Sequence, residues 1–216
     1  MKQSVANLRQ NYLKGNLNKD DLDSDPITQF GEWFQVALDA DILEPNAMTL
    51  ATVDEQGFPN ARIVLLKAYD DRGFVFHTNY QSQKGTELAA NPQAALVFWW
   101  GELERQIRVQ GSVATISPEE SDRYYLSRPL GSQLGAWASA QSSVIADDRQ
   151  VLAQRYEQFR TQFETHPEQI TRPPHWGGYR VKPNLIEFWQ GRPSRLHDRW
   201  SYRLVEQQWI IERLSP

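Results

Sequence analysis

The stretch 62–78 reads RIVLLKAYDDRGFVFHT, two apolar runs joined by a turn rich in Asp and Gly. Apolar runs of this length around such a turn are typical of a β-hairpin. The same pattern stands just upstream, where the apolar run 48–53 ends in the polar turn 54–57. The centre of the chain is therefore expected to form consecutive antiparallel strands.

The rest of the chain extends this pattern. Strands are predicted at 48–53, 62–69, 74–78, 94–100, 106–116, 179–181, 186–190, 195–204 and 208–213, and helices at about 26–40, 84–90, 118–126 and 147–165. The βαβ alternation and the glycine fingerprint of a dinucleotide-binding fold are absent from the sequence. We therefore expect the α+β class, with an antiparallel sheet that closes into a small barrel and helices at its edges.

Three regions are predicted along the chain. Residues 1–24 combine scattered apolar residues with an acidic patch at 20–23, which predicts a mobile N-terminal arm. Residues 25–166 hold most of the predicted strands and form the predicted barrel domain. Residues 172–216 supply the last strands, which are expected to complete the barrel.

The composition excludes several classes of protein. The 216 residues include no cysteine, which excludes disulfide bridges, cysteine-ligated metals and a cysteine nucleophile. The longest apolar run, 94–100, is too short to span a bilayer, and the N-terminus does not have the pattern of a signal peptide. The net charge of −4 gives no reason to expect nucleic-acid binding. We expect a cytoplasmic protein with neither a membrane nor a nucleic acid as partner.

Conventional catalytic motifs are missing from the sequence. The four histidines do not have metal-ligand spacing, and no zinc helix, P-loop or nucleophile elbow occurs. We therefore expect no metal site. If the protein is an enzyme, a bound organic cofactor has to supply the reactivity.

The densest polar cluster is Arg195-Leu196-His197-Asp198-Arg199. Alternate residues of a strand share a face, so Arg195, His197 and Arg199 would form one cationic surface suited to an anionic ligand. A solvated edge strand would show the same pattern. The cluster alone leaves both interpretations open.

A second pair of cations, Arg62 and Lys67, brackets four apolar residues, as in a core strand whose ends meet a ligand. A buried strand with snorkelling ends is the alternative interpretation. The two cations are an odd number of positions apart, so a regular strand would place them on opposite faces. A shared ligand therefore requires a bulge, or contact beyond the end of the strand.

Two further polar segments and the tryptophans carry weaker signals. The segment 127–133 combines Ser, Arg, Pro and Gly in a predicted loop of the kind that can hold an anion. The tripeptide Gln141-Ser142-Ser143 fits a helix cap or a linker equally well. Of eight tryptophans, five adjoin polar clusters, which suits either a flat phosphorylated ligand or ordinary core packing.

Six motifs stand in order along the chain: Arg62-Ile-Val-Leu-Leu-Lys67, Glu104-Arg-Gln106, Ser127-Arg-Pro129, Gly135-Ala-Trp137 with Gln141-Ser-Ser143, Phe188-Trp-Gln-Gly191 and Arg195-Leu-His-Asp-Arg199. Together they closely resemble the pyridoxine/pyridoxamine 5′-phosphate oxidase family, over nearly the whole chain. The resemblance implies an antiparallel Greek-key split barrel with peripheral helices, known as the FMN-binding split barrel. It also implies a homodimer that holds FMN at its interface, with 172–216 as the dimerisation region.

The resemblance assigns roles residue by residue. The positions that match the family's FMN-binding residues are Arg62, Ile63, Val64, Leu65, Leu66, Lys67, His77, Thr78, Gln83, Lys84, Gln106, Gln141, Ser142, Trp189 and Arg199. Those that match its substrate-binding residues are Arg9, Tyr12, Lys67, Tyr124, Arg128, Ser132, Arg195 and His197. Arg195 and His197 match the residues at the reacting substrate ring and are the predicted catalytic pair.

The implied reaction is the oxidation of pyridoxine or pyridoxamine 5′-phosphate to pyridoxal 5′-phosphate, with dioxygen as acceptor and hydrogen peroxide as product. Two positions depart from the family pattern. Gln83 stands where the family usually has a second cation, and His77 stands where it usually has an aromatic ring. Both departures concern the phosphate end of the FMN site.

Two alternative functions stay open. A general flavin reductase, or another oxidase on the same barrel, would share the FMN residues but lack the substrate residues as a set. A non-enzymatic protein that binds FMN or pyridoxal phosphate would take up ligand without consuming oxygen.

Overall fold

A computed structural model describes residue 8 and residues 10–145, 150–166 and 170–216. The strands of these residues are β1 (Ala47–Val53), β2 (Pro59–Leu65), β3 (Ala68–Asp70), β4 (Gly73–Asn79), β5 (Gln93–Trp100), β6 (Arg105–Thr115), β7 (Trp176–Gln190), β8 (Asp198–Val205) and β9 (Gln208–Arg213). The α-helices are α1 (Pro26–Asp39), α2 (Gln83–Ala90), α3 (Pro118–Ser127), α4 (Leu130–Ala138) and α5 (Gln150–Thr165). None of these helices is long and apolar enough to cross a bilayer.

The strands form a single sheet in the order β2-β1-β5-β6-β7-β4-β3, and β8 and β9 extend it through β7. β4 pairs antiparallel with both β3 and β7, and β8 pairs antiparallel with both β7 and β9. The α+β class and the antiparallel sheet predicted from the sequence are confirmed.

The chain separates into two compact units, each described by itself below. We call Leu50–Ala94 with Gly111–Lys182 the central unit. We call the described residues of Met1–Thr49, Ala95–Gln110 and Pro183–Pro216 the terminal unit. The predicted division into an arm, a barrel domain and a C-terminal region stays a prediction.

In the terminal unit, α1 covers an aromatic core. Asp25 accepts hydrogen bonds from the amides of Ile27 and Thr28, which caps the helix before its first-turn proline. The buried face of α1 places Phe30 5.1 Å from Phe98 between ring centroids. Burying an aromatic side chain of this size stabilises the fold by about 2–3 kcal/mol.

The last part of the predicted arm is anchored in the terminal unit. Leu17 is buried, its amide donates to Asp198 over 3.1 Å, and its carbonyl accepts from Trp200 Nε1 over 3.0 Å. The Lys14 amide donates to Glu104 over 2.9 Å. These contacts connect the chain before α1 to β8 and to the start of β6.

In the central unit, the strand predicted over 62–69 is interrupted. β2 ends at Leu65, and the amide of Lys67 donates to the Val75 carbonyl over 2.8 Å before β3 begins at Ala68. The turn to β4 requires Gly73, because its φ is +122° and a Cβ there would lie 2.0 Å from the Val181 carbonyl oxygen. The break places Lys67 past the end of β2. Contact beyond the strand end was one of the two ways in which Arg62 and Lys67 could share a ligand despite their odd spacing; the other was a bulge.

Two other expectations about secondary structure are wrong. The segment 127–133 is not a continuous loop, because α4 begins at Leu130 and buries Leu134 and Ala136 on its inner face. The separate strands predicted at 179–181 and 186–190 are one strand, β7, which runs through Pro183.

The cationic face predicted on a strand over 195–199 is also wrong. β8 begins only at Asp198, and Arg195 ends a 3₁₀ turn in which Ser194 and Arg195 have φ values of 58° and 62°. Left-handed residues interrupt the alternation of a strand. Arg195, His197 and Arg199 therefore do not share a strand face.

Candidate active site

The central unit contains a cavity of about 680 Å³ that we call the basic cavity. It opens beside the end of β2, and β4, α2 and the α3–α4 connection supply its other walls. Most of the predicted central-unit residues line it: Arg62, Ile63, Val64, Leu65, Lys67, His77, Thr78, Lys84, Tyr124, Arg128, Ser132 and Gln141. Pro129 and Trp176 complete the lining.

The basic cavity carries four cations, Arg62, Lys67, Lys84 and Arg128, and no carboxylate stands among the described residues that line it. Arg62 pairs with Glu87, whose carboxylate lies 3.2 Å from the guanidinium, and the charge of Glu87 also acts on Lys84. The ammonium of Lys67 has no partner among the described residues. This excess of positive charge suits an anionic ligand.

A chain of hydrogen bonds crosses the floor of the cavity. Lys84 Nζ donates to Thr78 Oγ1 over 3.3 Å, and that hydroxyl donates to Gln141 Oε1 over 3.2 Å. Lys84 is buried, and burial together with the nearby charge of Arg62 lowers its pKa. An anion in the cavity would stabilise the charged ammonium, because it would offset both effects.

His77 lies in a group of rings and cations on another wall. Its ring centroid lies 4.0 Å from that of Tyr124 and 5.2 Å from that of Trp176, and the guanidinium of Arg128 lies 4.5 Å above Trp176. Gly178 faces His77 on the paired strand, and a Cβ there would come within 2.9 Å of His77 Nε2. The missing side chain at Gly178 makes room for the imidazole.

Unpaired polar atoms concentrate at this wall. Among the described residues, four buried side-chain nitrogens have no hydrogen-bond partner, and three of them are His77 Nδ1, His77 Nε2 and Arg128 Nη1. Burial and the charges of Arg128, Lys67 and Arg172 lower the pKa of His77 to about 4. Unpaired donors and acceptors of this kind are costly in a folded protein unless a ligand satisfies them.

Four predicted positions lie elsewhere. Leu66 is buried beside the break after β2. Gln83 is exposed, and it lines a separate cavity of about 330 Å³ together with Ser142 and Gln141. Ser142 has a φ of 71° in the turn after α4. Arg9 lies outside the described residues.

The terminal unit holds the other predicted residues in an aromatic cluster. The ring centroid of Trp189 lies 4.6 Å from that of His197, 5.7 Å from that of Tyr12 and 6.1 Å from that of Trp99. Tyr12 also lies 5.7 Å from His197. The structure thus brings Tyr12, near the N-terminus, together with Trp189 and His197, near the C-terminus.

The loop 191–197, which we call the β7–β8 loop, presents His197 and Arg195. His197 Nδ1 accepts a hydrogen bond from the Arg192 amide over 3.1 Å, while Arg195 is exposed. Burial, together with the charge of Arg195, lowers the pKa of His197, and the charge of Asp198 opposes that shift. The loop therefore favours the neutral imidazole.

Arg199 is held by a buried carboxylate. Its Nε donates to Glu187 over 2.8 Å, its Nη1 donates to the Ser215 carbonyl over 2.8 Å, and Arg108 donates to the other oxygen of Glu187 over 3.0 Å. Glu187 and its bonds raise the pKa of Arg199. Gln106 is half-buried on β6 in the same unit.

Sequence reasoning missed four residues that shape these two regions: Glu87, Trp176, Glu187 and Arg192. Glu187 had a usable signal, because a carboxylate inside the apolar run 186–189 is rarely buried without a cationic partner. For the other three the sequence has no comparable signal. No group of three or more acidic or histidine residues in the described chain is arranged to hold a metal ion.

Comparison with protein families and with known proteins identifies relatives of this chain. Residues 34–163 match the model of the pyridoxamine 5′-phosphate oxidase family, and residues 176–216 match that of the pyridoxine 5′-phosphate oxidase C-terminal dimerisation region. A pyridoxine/pyridoxamine 5′-phosphate oxidase from Cyanothece sp. is 57% identical over 213 residues, which cover 99% of each chain. One from Cupriavidus necator is 57% identical over 98% of this chain and 99% of that one.

Solved structures show the same fold. PhzG from Burkholderia lata, in complex with tetrahydrophenazine-1-carboxylic acid, has a TM-score of 0.85 and 31% identity over 91% of this chain and 95% of its own. A pyridoxamine 5′-phosphate oxidase-related, FMN-binding protein from Nostoc punctiforme has a TM-score of 0.71 and 16% identity over 90% of this chain and 100% of its own. The predicted split-barrel fold is confirmed. The chain belongs to the pyridoxine/pyridoxamine 5′-phosphate oxidase family.

Proposed function

We propose that the protein is an FMN-dependent oxidase that converts pyridoxine or pyridoxamine 5′-phosphate to pyridoxal 5′-phosphate, with dioxygen as acceptor and hydrogen peroxide as product. One observation carries the proposal. The basic cavity has four cations, unpaired donors and aromatic walls, in a chain that is 57% identical over nearly its full length to oxidases of that name.

The residues of the basic cavity fit FMN. Its phosphate needs cations, its ribityl chain needs hydroxyl and amide partners, and its flat ring needs apolar walls. Lys84 and Arg62 supply charge, Thr78 and Gln141 supply hydrogen-bonding groups, and the β2 residues 63–65 supply apolar surface. A volume of about 680 Å³ is within the range of pockets that enclose such ligands.

The substrate phosphate is assigned to Lys67, Tyr124, Arg128 and Ser132. All four line the basic cavity, and Arg128 carries one of the unpaired nitrogens. The substrate ring is assigned to Arg195 and His197, with Tyr12 and Arg9 in the segment that closes over it. The remaining FMN contacts are assigned to Leu66, His77, Gln83, Gln106, Ser142, Trp189 and Arg199.

The chain's own residues act by binding and orienting. When bound, FMN supplies the two-electron acceptor for oxidation of the substrate and passes the electrons on to dioxygen. The cations anchor one phosphate of each molecule, which fixes the separation of two flat rings. The aromatic side chains exclude water from the faces of those rings. His197 contributes a hydrogen bond at the substrate ring.

The quaternary structure proposed here is a homodimer with FMN at the interface. The match of residues 176–216 to a dimerisation region supports it. Light scattering of the FMN-loaded protein should give a mass of twice the 25.0 kDa chain. A 25 kDa species that still retains FMN would refute the dimer.

The function is tested by mixing the protein with FMN and pyridoxamine 5′-phosphate and following hydrogen peroxide and pyridoxal 5′-phosphate together. We expect stoichiometric formation of both. Arg128→Ala should raise KM for the phosphorylated substrate by about tenfold or more, since a charge-assisted hydrogen bond contributes about 1.5–3 kcal/mol. Arg123→Ala is the matched control, because Arg123 is exposed on α3 and does not line the basic cavity. FMN binding without peroxide in the wild type would contradict the proposal.

The PhzG similarity favours one second candidate, the oxidation of a reduced tricyclic carboxylic acid. A carboxylate would not need the full phosphate set of Lys67, Tyr124, Arg128 and Ser132. Supplying a reduced phenazine carboxylate in the same assay separates the two functions. Faster turnover of that compound than of pyridoxamine 5′-phosphate would favour the second candidate.

A further inference from the structure

The β7–β8 loop holds His197 in a single hydrogen-bonding state. The amide nitrogen of Arg192 lies 3.1 Å from His197 Nδ1. A backbone N–H can only donate, so Nδ1 must accept and carries no proton. In a neutral imidazole the proton then sits on Nε2.

The Arg192 amide is fixed from both sides. Pro193 restricts the preceding residue to an extended backbone, and Arg192 has φ −137° and ψ 156°. The Gly191 amide donates to the Glu104 carbonyl over 2.7 Å. The guanidinium of Arg192 donates to the Gly15 carbonyl over 3.0 Å and lies 3.5 Å from Asp198.

The rest of the loop is held in a costly conformation. Ser194 and Arg195 are successive non-glycine residues with positive φ, a left-handed conformation that L-residues with a side chain rarely adopt. Asp198 anchors the far end, since it accepts from the Leu17 amide over 3.1 Å and from Arg213 over 2.8 Å. Strain of this kind persists only where the surroundings over-determine the backbone.

We propose that the β7–β8 loop locks His197 as the neutral tautomer protonated on Nε2, with Arg192 as the positioning residue. His197 then acts on the substrate ring as a hydrogen-bond donor and not as a proton acceptor. The identity of that substrate rests on the proposed function, but the lock itself rests only on contacts within the terminal unit.

The charges around His197 agree with this state. The charges that act on His197 are those of Arg195 and Asp198, the guanidinium of Arg192 lies against Asp198, and the rings of Tyr12 and Trp189 pack beside the imidazole. Protonation of Nδ1 would set its new N–H against the Arg192 N–H. This clash acts in the same direction as the burial that lowers the pKa of His197.

Nitrogen-15 NMR of histidine-labelled protein tests the lock without any turnover. His197→Gln identifies the His197 signals among the four histidines. We expect a proton on Nε2 and none on Nδ1 in the neutral imidazole at pH 8 and pH 9, and a titration midpoint below that of an unperturbed histidine. A proton on Nδ1, a mixture of tautomers, or titration at the ordinary value near 6.5 would overturn the proposal.

Arg192→Ala tests the positioning role. Without its contacts to Gly15 and Asp198 the loop should loosen, so His197 should become a mixture of tautomers and its pKa should rise toward 6.5. The matched control is Arg203→Ala, which removes an exposed arginine of β8 whose ion pair in the described chain is with Glu212. An unchanged His197 spectrum in Arg192→Ala would overturn the assignment of Arg192.

Two replacements of His197 separate donor from acceptor. The amide nitrogen of glutamine reaches the place of Nε2, whereas asparagine reaches only that of Nδ1. In the FMN-loaded protein, we expect His197→Gln to bind pyridoxal 5′-phosphate within about threefold of the wild type and His197→Asn about tenfold more weakly. The reverse order would refute the donor role. A normal NMR result with no peroxide formation would instead leave the lock standing and refute the proposed function.

Discussion

The basic cavity of the central unit and the surroundings of the β7–β8 loop in the terminal unit differ in how far their cations are paired with carboxylates. In the cavity, Lys67 has no partner in the described chain, Lys84 donates its hydrogen bond to a hydroxyl, and Arg128 keeps an unpaired nitrogen. Around the loop, Arg192 and Arg213 share Asp198, while Arg108 and Arg199 share Glu187.

The difference indicates two roles for positive charge, ligand binding in the cavity and positioning of side chains around the loop. Unpaired cations are poised for a ligand's negative charge, because that charge is the first to satisfy them. Arginines that already pair with a carboxylate have part of that capacity taken up, and they also fix the positions of neighbouring groups. We therefore expect the cavity to determine the affinity for anionic ligands, and the arginines around the loop to determine the orientation of neighbouring side chains. Four predictions test this contrast.

The largest loss of stability is expected when the carboxylate that Arg108 and Arg199 share is removed. Glu187→Ala leaves the charges of Arg108 and Arg199 without their shared partner inside the terminal unit. Since breaking a buried ion pair costs about 3–5 kcal/mol and both arginines are partly exposed, we expect a loss of about 3 kcal/mol in the free energy of unfolding. Urea denaturation measures it. Glu212→Ala, which breaks an exposed pair with Arg203, should cost less than about 1 kcal/mol, and equal losses would remove the contrast.

A smaller effect is expected from the protonation of His77, which should make the free energy of unfolding depend on pH. Its pKa is about 4 in the folded protein and about 6.5 when unfolded, so the unfolded chain binds more protons between these values. Stability is therefore full above pH 6.5 and falls as the pH is lowered toward 4. From pH 7 to pH 5 we expect His77 to account for a loss of about 2 kcal/mol.

Urea denaturation of His77→Phe at pH 7 and pH 5 should show that the part of the stability loss due to His77 has disappeared. His166→Gln is the control, because His166 lies at the exposed end of α5 and does not line the cavity. The same pH dependence in wild type and His77→Phe would show that His77 is not held neutral.

Removing an unpaired cation should affect ligand affinity but not stability. Lys84→Met deletes a buried ammonium whose partner is Thr78. We expect the Kd for FMN to rise by about tenfold to thirtyfold, from a loss of about 1.5–2 kcal/mol. The free energy of unfolding without FMN should stay the same or increase, because a buried unpaired charge is costly. A clear loss of stability without FMN would place Lys84 among the paired, structural cations.

The smallest effect is expected at Gln83. Because Gln83 is exposed and lines a cavity other than the basic one, a cation there would act through solvent. Gln83→Arg should tighten FMN binding by only about twofold at low salt, and that gain should vanish at high salt. A tenfold gain would mean that the exposed side chain reaches the phosphate.

Much of the local structure was predictable because it depends on neighbouring residues. Asp25-Pro26 predicted the start of α1, and Ser117-Pro118 with Glu120 predicted the start of α3, since capping is decided within one turn of helix. The hairpin of β3 and β4 was predictable from its turn. The failures occurred where tertiary packing overrides local preference. α4 forms despite two glycines because it buries Leu134 and Ala136, and β7 runs through Pro183.

The sequence by itself determined the antiparallel α+β architecture and, through its ordered motifs, the family. It also supplied most of the residues of the basic cavity. Only the tertiary structure decided which charges are paired: Glu187 with Arg199, Asp198 with Arg192, and none of the described carboxylates with Lys67. The physical reason is that strand pairing and chain reversal bring together residues far apart in sequence, and an ion pair depends on the distance between charges, not on their spacing along the chain.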